Sequence, residues 1–317
     1  MEHLTLAHLP TPLEPADRLG RAIGLPPGRL WVKRDDCTGL ATGGNKARKL
    51  ELLVADALAN GCDVLVTAGG PQSNHARTTA AAAARAGLGC VLVFNADAPS
   101  QTEGNQLLDD LLGAERRFVG PVAMDDLDEV ASAITDELRR AGRLPYLIPV
   151  GGSSPLGASA YVAAAEEITA ALGHDDVVVV TATGSGGTHA GLAASLGHDR
   201  VIGVDVGALA HVASVVRGLT VEVAALVGLP RPAGEPRLVS DQVGAGYGAP
   251  TAACLDAIRL AARSEGLLLD PVYSGKAMAG LVELARAGLR AKAIVFLATG
   301  GVPALFTARY EDWLVGA

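Results

Sequence analysis

Short apolar runs and amphipathic stretches alternate along most of the chain. The apolar runs predict strands at residues 29–33, 63–67, 90–94, 147–150, 177–181, 201–206 and 294–297. Apolar positions at helical spacing predict helices after residue 45, at 76–86, 105–112, 125–140 and 155–172, a short one ending at 196, and others near 208–226, 250–265 and 275–288. Strands that alternate with helices pair in parallel through right-handed crossovers, so the pattern predicts an α/β fold.

Two further features refine this architecture. The run 177–181 is all β-branched and largely apolar, which is typical of a central strand covered on both faces. Residues 10–28, rich in Pro and Gly, predict a surface lead-in with one short helix at most. The length of 317 residues suits two twisted, mostly parallel sheets with a crevice between them better than one very wide sheet.

Composition narrows the classes of function. Hydrophobic residues make up 49% of the chain, but no apolar run is long enough to span a membrane, and the N-terminus lacks the pattern of a secretory signal. The four cysteines are scattered, and the histidines lack metal-ligand spacing, so we expect no metal and a reducing cytoplasm. A net charge of −8 argues against a nucleic acid as partner.

Four loops rich in glycine and in small hydroxyl or amide residues follow predicted strands. They cover residues 42–46, 69–75, 183–188 and 299–301. In open α/β sheets, ligands bind outside the carboxyl ends of the strands. We therefore expect all four loops to gather at one site.

The strongest local signal is the loop Gly184-Ser185-Gly186-Gly187-Thr188 between a buried strand and a helix. Successive N–H groups at such a place favour phosphate, and because the loop contains no lysine or arginine, the backbone would bind it. A plain βα turn is the alternative. A dinucleotide site is the rival, since Asp205 ends the next strand, but His189 replaces the third glycine of that fingerprint.

Lys46 stands in the first turn of a predicted helix that Asn45 would cap. Helix N-termini disfavour a positive charge, so a lysine there suggests an amine held near neutrality and bonded to another group. The alternative is a solvated basic cluster of Lys46, Arg48 and Lys49 at the start of a surface helix.

Two other segments carry candidate polar groups. Ser73, Asn74 and His75 lie at a predicted helix start, where they could donate to a carboxylate or simply cap the helix. Tyr273 either points into a cleft or packs on Pro271 at the surface.

Taken together and in order, these segments resemble a known family. The motifs are Trp31-Val32-Lys33-Arg34-Asp35-Asp36, Gly43-Gly44-Asn45-Lys46-Ala47-Arg48-Lys49-Leu50-Glu51, Gln72-Ser73-Asn74-His75-Ala76-Arg77, Gly184-Ser185-Gly186-Gly187-Thr188-His189-Ala190-Gly191, Gly246-Tyr247-Gly248, Asp270-Pro271-Val272-Tyr273 and Thr299-Gly300-Gly301. The chain resembles the pyridoxal 5′-phosphate enzymes of fold type II, and within them the group of D-cysteine desulfhydrase and 1-aminocyclopropane-1-carboxylate (ACC) deaminase.

The resemblance implies roles in cofactor binding. Lys46 would form the Schiff base with pyridoxal 5′-phosphate and later move the substrate α-proton. Asn74 would bond the ring hydroxyl, and Thr299 would contact the pyridine nitrogen. The phosphate would be held by Gly184, Ser185, Gly186, Gly187 and Thr188.

The resemblance also implies how a small amino-acid substrate is bound. Ser73, Asn74 and His75 would receive its carboxylate, and Tyr273 would face it, so that Lys46, Ser73 and Tyr273 are the expected catalytic residues. The reaction would be α,β-elimination, which converts D-cysteine to pyruvate, ammonia and hydrogen sulfide. We expect a homodimer, with a large cofactor-binding domain at 1–48 and 156–317, a small domain at 49–155, and the cofactor in the cleft between them.

Individual positions help to choose within the group. The ACC deaminase pattern has glutamate where Thr299 stands and glutamine where His75 stands, so both residues favour the desulfhydrase side. Ser154 and Ala160 depart from the desulfhydrase pattern. Elimination on cysteate, chloroalanine or serine, ACC ring opening, a biosynthetic role with a larger substrate, and a non-catalytic nucleotide-binding module therefore stay open.

Overall fold

The computed structural model describes residues 3–316, which form two sheets flanked by helices. The strands are β1 (Leu13–Pro15), β2 (Leu30–Lys33), β3 (Val64–Gly69), β4 (Gly89–Phe94), β5 (Glu115–Phe118), β6 (Pro145–Leu147), β7 (Val177–Thr183), β8 (Val201–Asp205), β9 (Arg237–Val239) and β10 (Ala293–Leu297). The helices are α1 (Asp17–Ala22), α2 (Lys46–Ala59), α3 (Asn74–Ala86), α4 (Asn105–Leu111), α5 (Leu127–Arg140), α6 (Pro155–Leu172), α7 (Gly187–Leu196), α8 (Val212–Val227), α9 (Ala252–Glu265), α10 (Ser274–Arg286) and α11 (Ala308–Val315).

The larger sheet has six strands in the order β1-β2-β10-β7-β8-β9, and the smaller has four in the order β5-β4-β3-β6. All neighbouring strands are parallel except β1 and β2, which pair antiparallel. The predicted α/β class, with two mostly parallel sheets flanked by helices, is confirmed.

Each sheet is covered by helices on both faces because alternate side chains of its strands point to opposite sides. In the larger sheet, Val178 and Val180 pack toward α1, α9 and α10, whereas Val177 and Val179 pack toward α6 and α7. In the smaller sheet, one face packs on α2 and α3 and the other on α5. This arrangement explains why the strand sequences read as nearly continuous apolar runs.

Every strand and helix predicted from the pattern has a counterpart, although boundaries shift by a few residues. The one short helix allowed at residues 10–28 is present as α1, but the expectation that this segment is a surface lead-in is wrong. This segment supplies the edge strand β1 and helix α1, and Leu19, Ile23 and Leu25 are buried in the core of the larger sheet.

The strands of the smaller sheet all lie between residues 49 and 155, and those of the larger sheet all lie outside that range. Helix α2 packs on the smaller sheet through Leu50, Leu53 and Val54, and it also contacts α6. Because α2 joins the two units, the exact domain boundaries stay a prediction.

Within the described residues, no helix combines the length and apolar character needed to cross a membrane.

Candidate active site

A cleft between the two sheets brings together the residues that the sequence singled out. It is lined by Lys46, Ser73, Asn74, His75, Gly184, Ser185, Gly186, Gly187, Thr188, Tyr273 and Thr299. These residues lie where β3, β7 and β10 end and where α2, α3, α7 and α10 begin. The expectation that the four loops gather at one site is confirmed.

Lys46 is the first residue of α2, and its Nζ donates to the carbonyl of Gly151 over 3.4 Å. Burial of this amine lowers the pKa of Lys46 to about 8. A neutral amine is therefore accessible near physiological pH, as the first-turn position suggested.

Lys49 lies one helical turn further on, and its amine reaches the same carbonyl. Its Nζ lies 3.0 Å from Gly151 O and 3.3 Å from Ser153 Oγ. Burial and the charge of Lys46 lower the pKa of Lys49 well below the ordinary value. Since Lys49 is fully buried and Arg48 is 2% exposed, the alternative of a solvated basic cluster is wrong.

Asn45 does not cap α2 with its side chain, so that prediction is wrong. Its Nδ2 instead donates to Thr188 Oγ1 at 3.1 Å, and its backbone N–H donates to Thr299 O at 3.0 Å. Asn45 thereby ties the start of α2 to the glycine-rich loop and to the end of β10. These contacts fix the position of Lys46 relative to both.

The loop before Lys46 has an unusual backbone. Ala41 and Thr42 both have positive φ, and a Cβ on Gly43 would lie 2.0 Å from Asp36 O. Such conformations persist only where neighbouring structure holds them. Here Thr38 Oγ1 exchanges hydrogen bonds with the N–H and the carbonyl of Gly44.

The glycine-rich loop forms a concave surface at the start of α7. Gly186 has φ 84°, and a Cβ on Gly187 would lie 2.5 Å from Lys49 Nζ and 2.6 Å from Ser153 Oγ. Ser153 Oγ accepts from the Gly187 N–H and donates to Ser185 Oγ. Helix α2 brings the amine of Lys49 beside this loop, which the sequence did not predict. That the loop binds an anion through its backbone stays a prediction.

Ser73 caps α3, because its Oγ accepts from the Ala76 N–H at 3.1 Å. The capping alternative therefore holds for Ser73. Its hydroxyl proton remains available to a ligand, since capping uses only an oxygen lone pair.

His75 has a defined tautomer. Thr67 Oγ1 donates to Ile148 O at 2.8 Å, so its contact of 3.0 Å with His75 Nε2 requires that Nε2 carries the proton. Burial, together with Lys46 and Lys49, lowers the pKa of His75 well below 6.5. Its Nδ1 therefore presents a lone pair, and it has no hydrogen-bond partner among the described residues.

Tyr273 lies at the start of α10 and faces the cleft, where its hydroxyl contacts that of Tyr247. The two rings meet edge to face with centroids 5.9 Å apart. Burial raises the pKa of Tyr247 to about 12 and that of Tyr273 well above 10, so both hydroxyls stay protonated near neutrality. Asp270 accepts from the backbone N–H groups of Val272 and Tyr273 and so fixes this turn.

Tyr247 is a site residue that sequence reasoning noted only within a motif. Its loop, between β9 and α9, follows no predicted strand, so the rule about strand ends gave no signal for it.

The architecture and the cleft define an α/β enzyme in which a lysine amine and a glycine-rich loop lie on one cleft between two mostly parallel sheets. The family model described as pyridoxal-phosphate dependent enzyme matches residues 4–300, so the chain belongs to that family.

Individual relatives are similar over nearly the whole chain. A D-cysteine desulfhydrase of Salmonella schwarzengrund is 44% identical over 96% of this chain and 95% of its own length. A crystal structure of an ACC deaminase homologue superposes with a TM-score of 0.91 at 39% identity, covering 100% of this chain and 96% of that one. Threonine deaminase isoform 2 of Solanum lycopersicum, at 18% identity and a TM-score of 0.68 over 98% and 83% of the chains, shares the fold.

The residues of the cleft fit pyridoxal phosphate, an aldehyde with a phosphate tail. Lys46 offers a buried amine without an ion-pair partner among the described residues. The loop 184–188 offers backbone N–H groups beside the Lys49 amine. Asn74 and Thr299 offer an amide and a hydroxyl on the same cleft.

Proposed function

We propose that this protein is a pyridoxal-phosphate-dependent lyase that removes the α-proton and a β-substituent from a small amino acid. D-cysteine is the proposed substrate, and with one water it gives pyruvate, ammonia and hydrogen sulfide. The observation that carries the proposal is the enclosed amine of Lys46 facing the glycine-rich loop across the cleft. The 44% identical D-cysteine desulfhydrase supports the choice of substrate.

The cofactor would be held at both ends. Lys46 Nζ would attach to its aldehyde carbon, and the N–H groups of residues 184–188 with the Lys49 amine would bind its phosphate. Asn74 would donate to the oxygen of the hydroxyl group on the ring, and Thr299 would lie at the pyridine nitrogen. When bound, the cofactor supplies an electron-withdrawing ring that stabilises negative charge at the substrate Cα.

Lys46 would also take the substrate α-proton. Its lowered pKa of about 8 leaves a useful fraction of the amine neutral near pH 7–8, where a base of matched pKa works best. Burial accounts for the lowered pKa, because removing an ammonium group from water disfavours its charged form.

The start of α3 would orient the substrate carboxylate. The first N–H groups of a helix have no intrahelical partners, and the Ser73 hydroxyl proton is free to donate beside them. The lone pair on His75 Nδ1 would repel a carboxylate, so the contribution of His75 would come from its backbone N–H. Tyr273 Oη, protonated and paired with Tyr247, would donate to the departing sulfur.

A screen of candidate substrates tests this proposal. Both enantiomers of cysteine, serine, cysteate and chloroalanine, together with ACC, would be assayed for release of a 2-oxo acid. We expect the highest kcat/KM for D-cysteine, with one sulfide released for each pyruvate. A higher kcat/KM for ACC would favour the second candidate, ACC deaminase, which the solved ACC deaminase homologue suggests and which Thr299 disfavours.

The resemblance to this family also leads us to propose a homodimer that works in the cytoplasm. Light scattering on the purified protein should give twice the mass of the 317-residue chain. A monomeric mass at assay concentration would contradict the proposed dimer.

A further inference from the structure

The side-chain amide of Asn74 has two chemically different ends, and only one of them can donate a hydrogen bond. Its Nδ2 lies beside Gly301, where an added Cβ would come within 2.9 Å. Its Oδ1 accepts a hydrogen bond of 2.9 Å from Nδ2 of Asn105, a fully buried residue at the start of α4. The proposed function requires Nδ2, the donor end of Asn74, to face the hydroxyl group on the cofactor ring.

The orientation of Asn105 is dictated by two partners that each have one polarity. Arg77 Nε donates to Asn105 Oδ1 at 3.1 Å, and a guanidinium can only donate. The backbone carbonyl of Gln72, which can only accept, accepts a hydrogen bond of 2.8 Å from Asn105 Nδ2. Reversing the Asn105 amide would break both contacts and would place an oxygen against Asn74 Oδ1.

Arg77 is itself fixed. It is fully buried on α3, and its Nη1 donates to the carbonyls of Ala41 and Gly43 in the strained loop before Lys46. Burial lowers the pKa of Arg77 to about 10 against the opposing charge of Asp109, so the guanidinium stays charged near neutral pH. Arg77 can only donate, so it fixes which end of the Asn105 amide donates, and Asn105 in turn fixes the Asn74 amide. We call this chain of hydrogen bonds from Arg77 through Asn105 to Asn74 the relay.

We propose that Asn105, oriented by Arg77, is a positioning residue that holds the Asn74 amide with its N–H group toward the ring oxygen of pyridoxal phosphate. The proposal rests on the proposed function. Asn105 does not itself line the cleft, so it acts on the cofactor only through Asn74.

The substitution Asn105→Asp tests the relay. A carboxylate still accepts from Arg77, but it presents an acceptor to Asn74, whose amide then gains a hydrogen bond by turning its N–H group away from the cleft. The dissociation constant of pyridoxal phosphate, measured by titrating cofactor-free protein, should rise by about tenfold or more because a hydrogen bond to a charged oxygen is lost.

A cofactor analogue separates positioning from general damage. The analogue 3-deoxypyridoxal 5′-phosphate lacks the hydroxyl group on the ring. Its dissociation constants for Asn105→Asp and wild type should agree within about twofold, since it cannot form the hydrogen bond with Asn74 in either protein. Gln106→Glu is the matched control: it makes the same amide-to-acid change at the neighbouring buried residue of α4, which forms no hydrogen bond with Asn74 in the described part of the chain. It should leave the affinity for both cofactors near the wild-type value.

An equal loss of affinity for both cofactors, or no loss for either, would overturn the proposal. If Asn105→Asp does not fold, Asn105→Ala removes the donor without adding an acceptor, and it should weaken only the hydroxyl-bearing cofactor. An equal effect of Asn105→Ala on both would count against the relay in the same way. Wild-type protein that binds neither cofactor would instead refute the proposed function, and the relay with it.

Discussion

At the scale of single residues, Asp109 on α4 is a buried carboxyl group with an unusual environment. Neither of its oxygens has a hydrogen-bond partner among the described residues. Burial raises the pKa of Asp109 from 3.8 to about 7, although Arg77 and Arg116 oppose the shift. The folded protein therefore keeps a proton on Asp109 at pH values where the unfolded chain has already lost it.

This difference predicts how stability depends on pH. Between about pH 3.8 and 7, the unfolded state binds fewer protons at this site, so raising the pH favours unfolding. The substitution Asp109→Asn removes the ionisation and should raise the melting temperature at pH 8 by roughly 3–8 °C relative to wild type. The gain should shrink as the pH is lowered toward 5.

Melting temperatures across pH 5–8 provide the measurement. Asp110→Asn is the control, because this neighbouring carboxylate is exposed and pairs with Arg116 at the surface. Curves for wild type and Asp109→Asn that stay parallel over the whole range would show that Asp109 does not titrate as inferred.

The position of the Lys49 amine could not be predicted from the sequence. The first-turn position of Lys46 was enough to suggest an amine near neutrality, and the structure brings it into the cleft. Lys49 follows one helical turn later, and nothing in the sequence shows that its amine is also buried and reaches the same carbonyl as Lys46. The contact with Ser153 depends on how α2 packs against a segment about a hundred residues away.

At the scale of elements, helix α2 carries Lys46, and a buried ionic network holds its first turn. Arg48 Nε and Nη2 donate to the two oxygens of Asp35, and its Nη1 and Nη2 donate to those of Glu167 on α6. Tyr161, also on α6, lies within hydrogen-bond distance of Asp35 and of the Asn45 carbonyl. The network fixes the position of the amine relative to the larger sheet.

Removing Arg48 should therefore be costly. The substitution Arg48→Met leaves Asp35, which is fully buried, without its counter-ion, and should lower the free energy of unfolding by about 3–5 kcal/mol. Arg117→Met, which removes partly exposed ion pairs with Glu115 and Glu137, should cost about 1 kcal/mol or less. Denaturant unfolding of both variants gives the comparison, and similar losses for the two would contradict the role assigned to the network.

The strands that the sequence did not predict share a cause. Strands β1, β5 and β9 are edge strands of three or four residues, and β5 reads Glu-Arg-Arg-Phe. They are strands because a neighbouring strand offers hydrogen bonds, which is a tertiary effect that local pattern cannot show. The long buried strands and amphipathic helices were predictable because their buried positions are apolar and recur with the period of a strand or a helix.

At the scale of the whole molecule, two mostly parallel sheets place the ends of three strands and the starts of four helices around one cleft. The glycine-rich loops made it possible to predict this common site, because parallel strands end at the same edge of a sheet. The hydrogen-bond relay behind Asn74 was not predictable, since it joins α3 to α4 through the direction of side-chain amides. Roles of single residues in the cleft follow from this geometry and stay predictions.

Whether Lys46 or the nearby Lys49 bonds the cofactor aldehyde can be measured directly. Protein loaded with pyridoxal phosphate would be reduced with borohydride, digested and analysed by mass spectrometry. We expect one phosphopyridoxyl group on Lys46, the same label on Lys46 in the Lys49→Met variant at saturating cofactor, and none in Lys46→Ala, which should also lose visible absorbance and turnover. A label on Lys49, or a yellow and active Lys46→Ala protein, would contradict the role of Lys46.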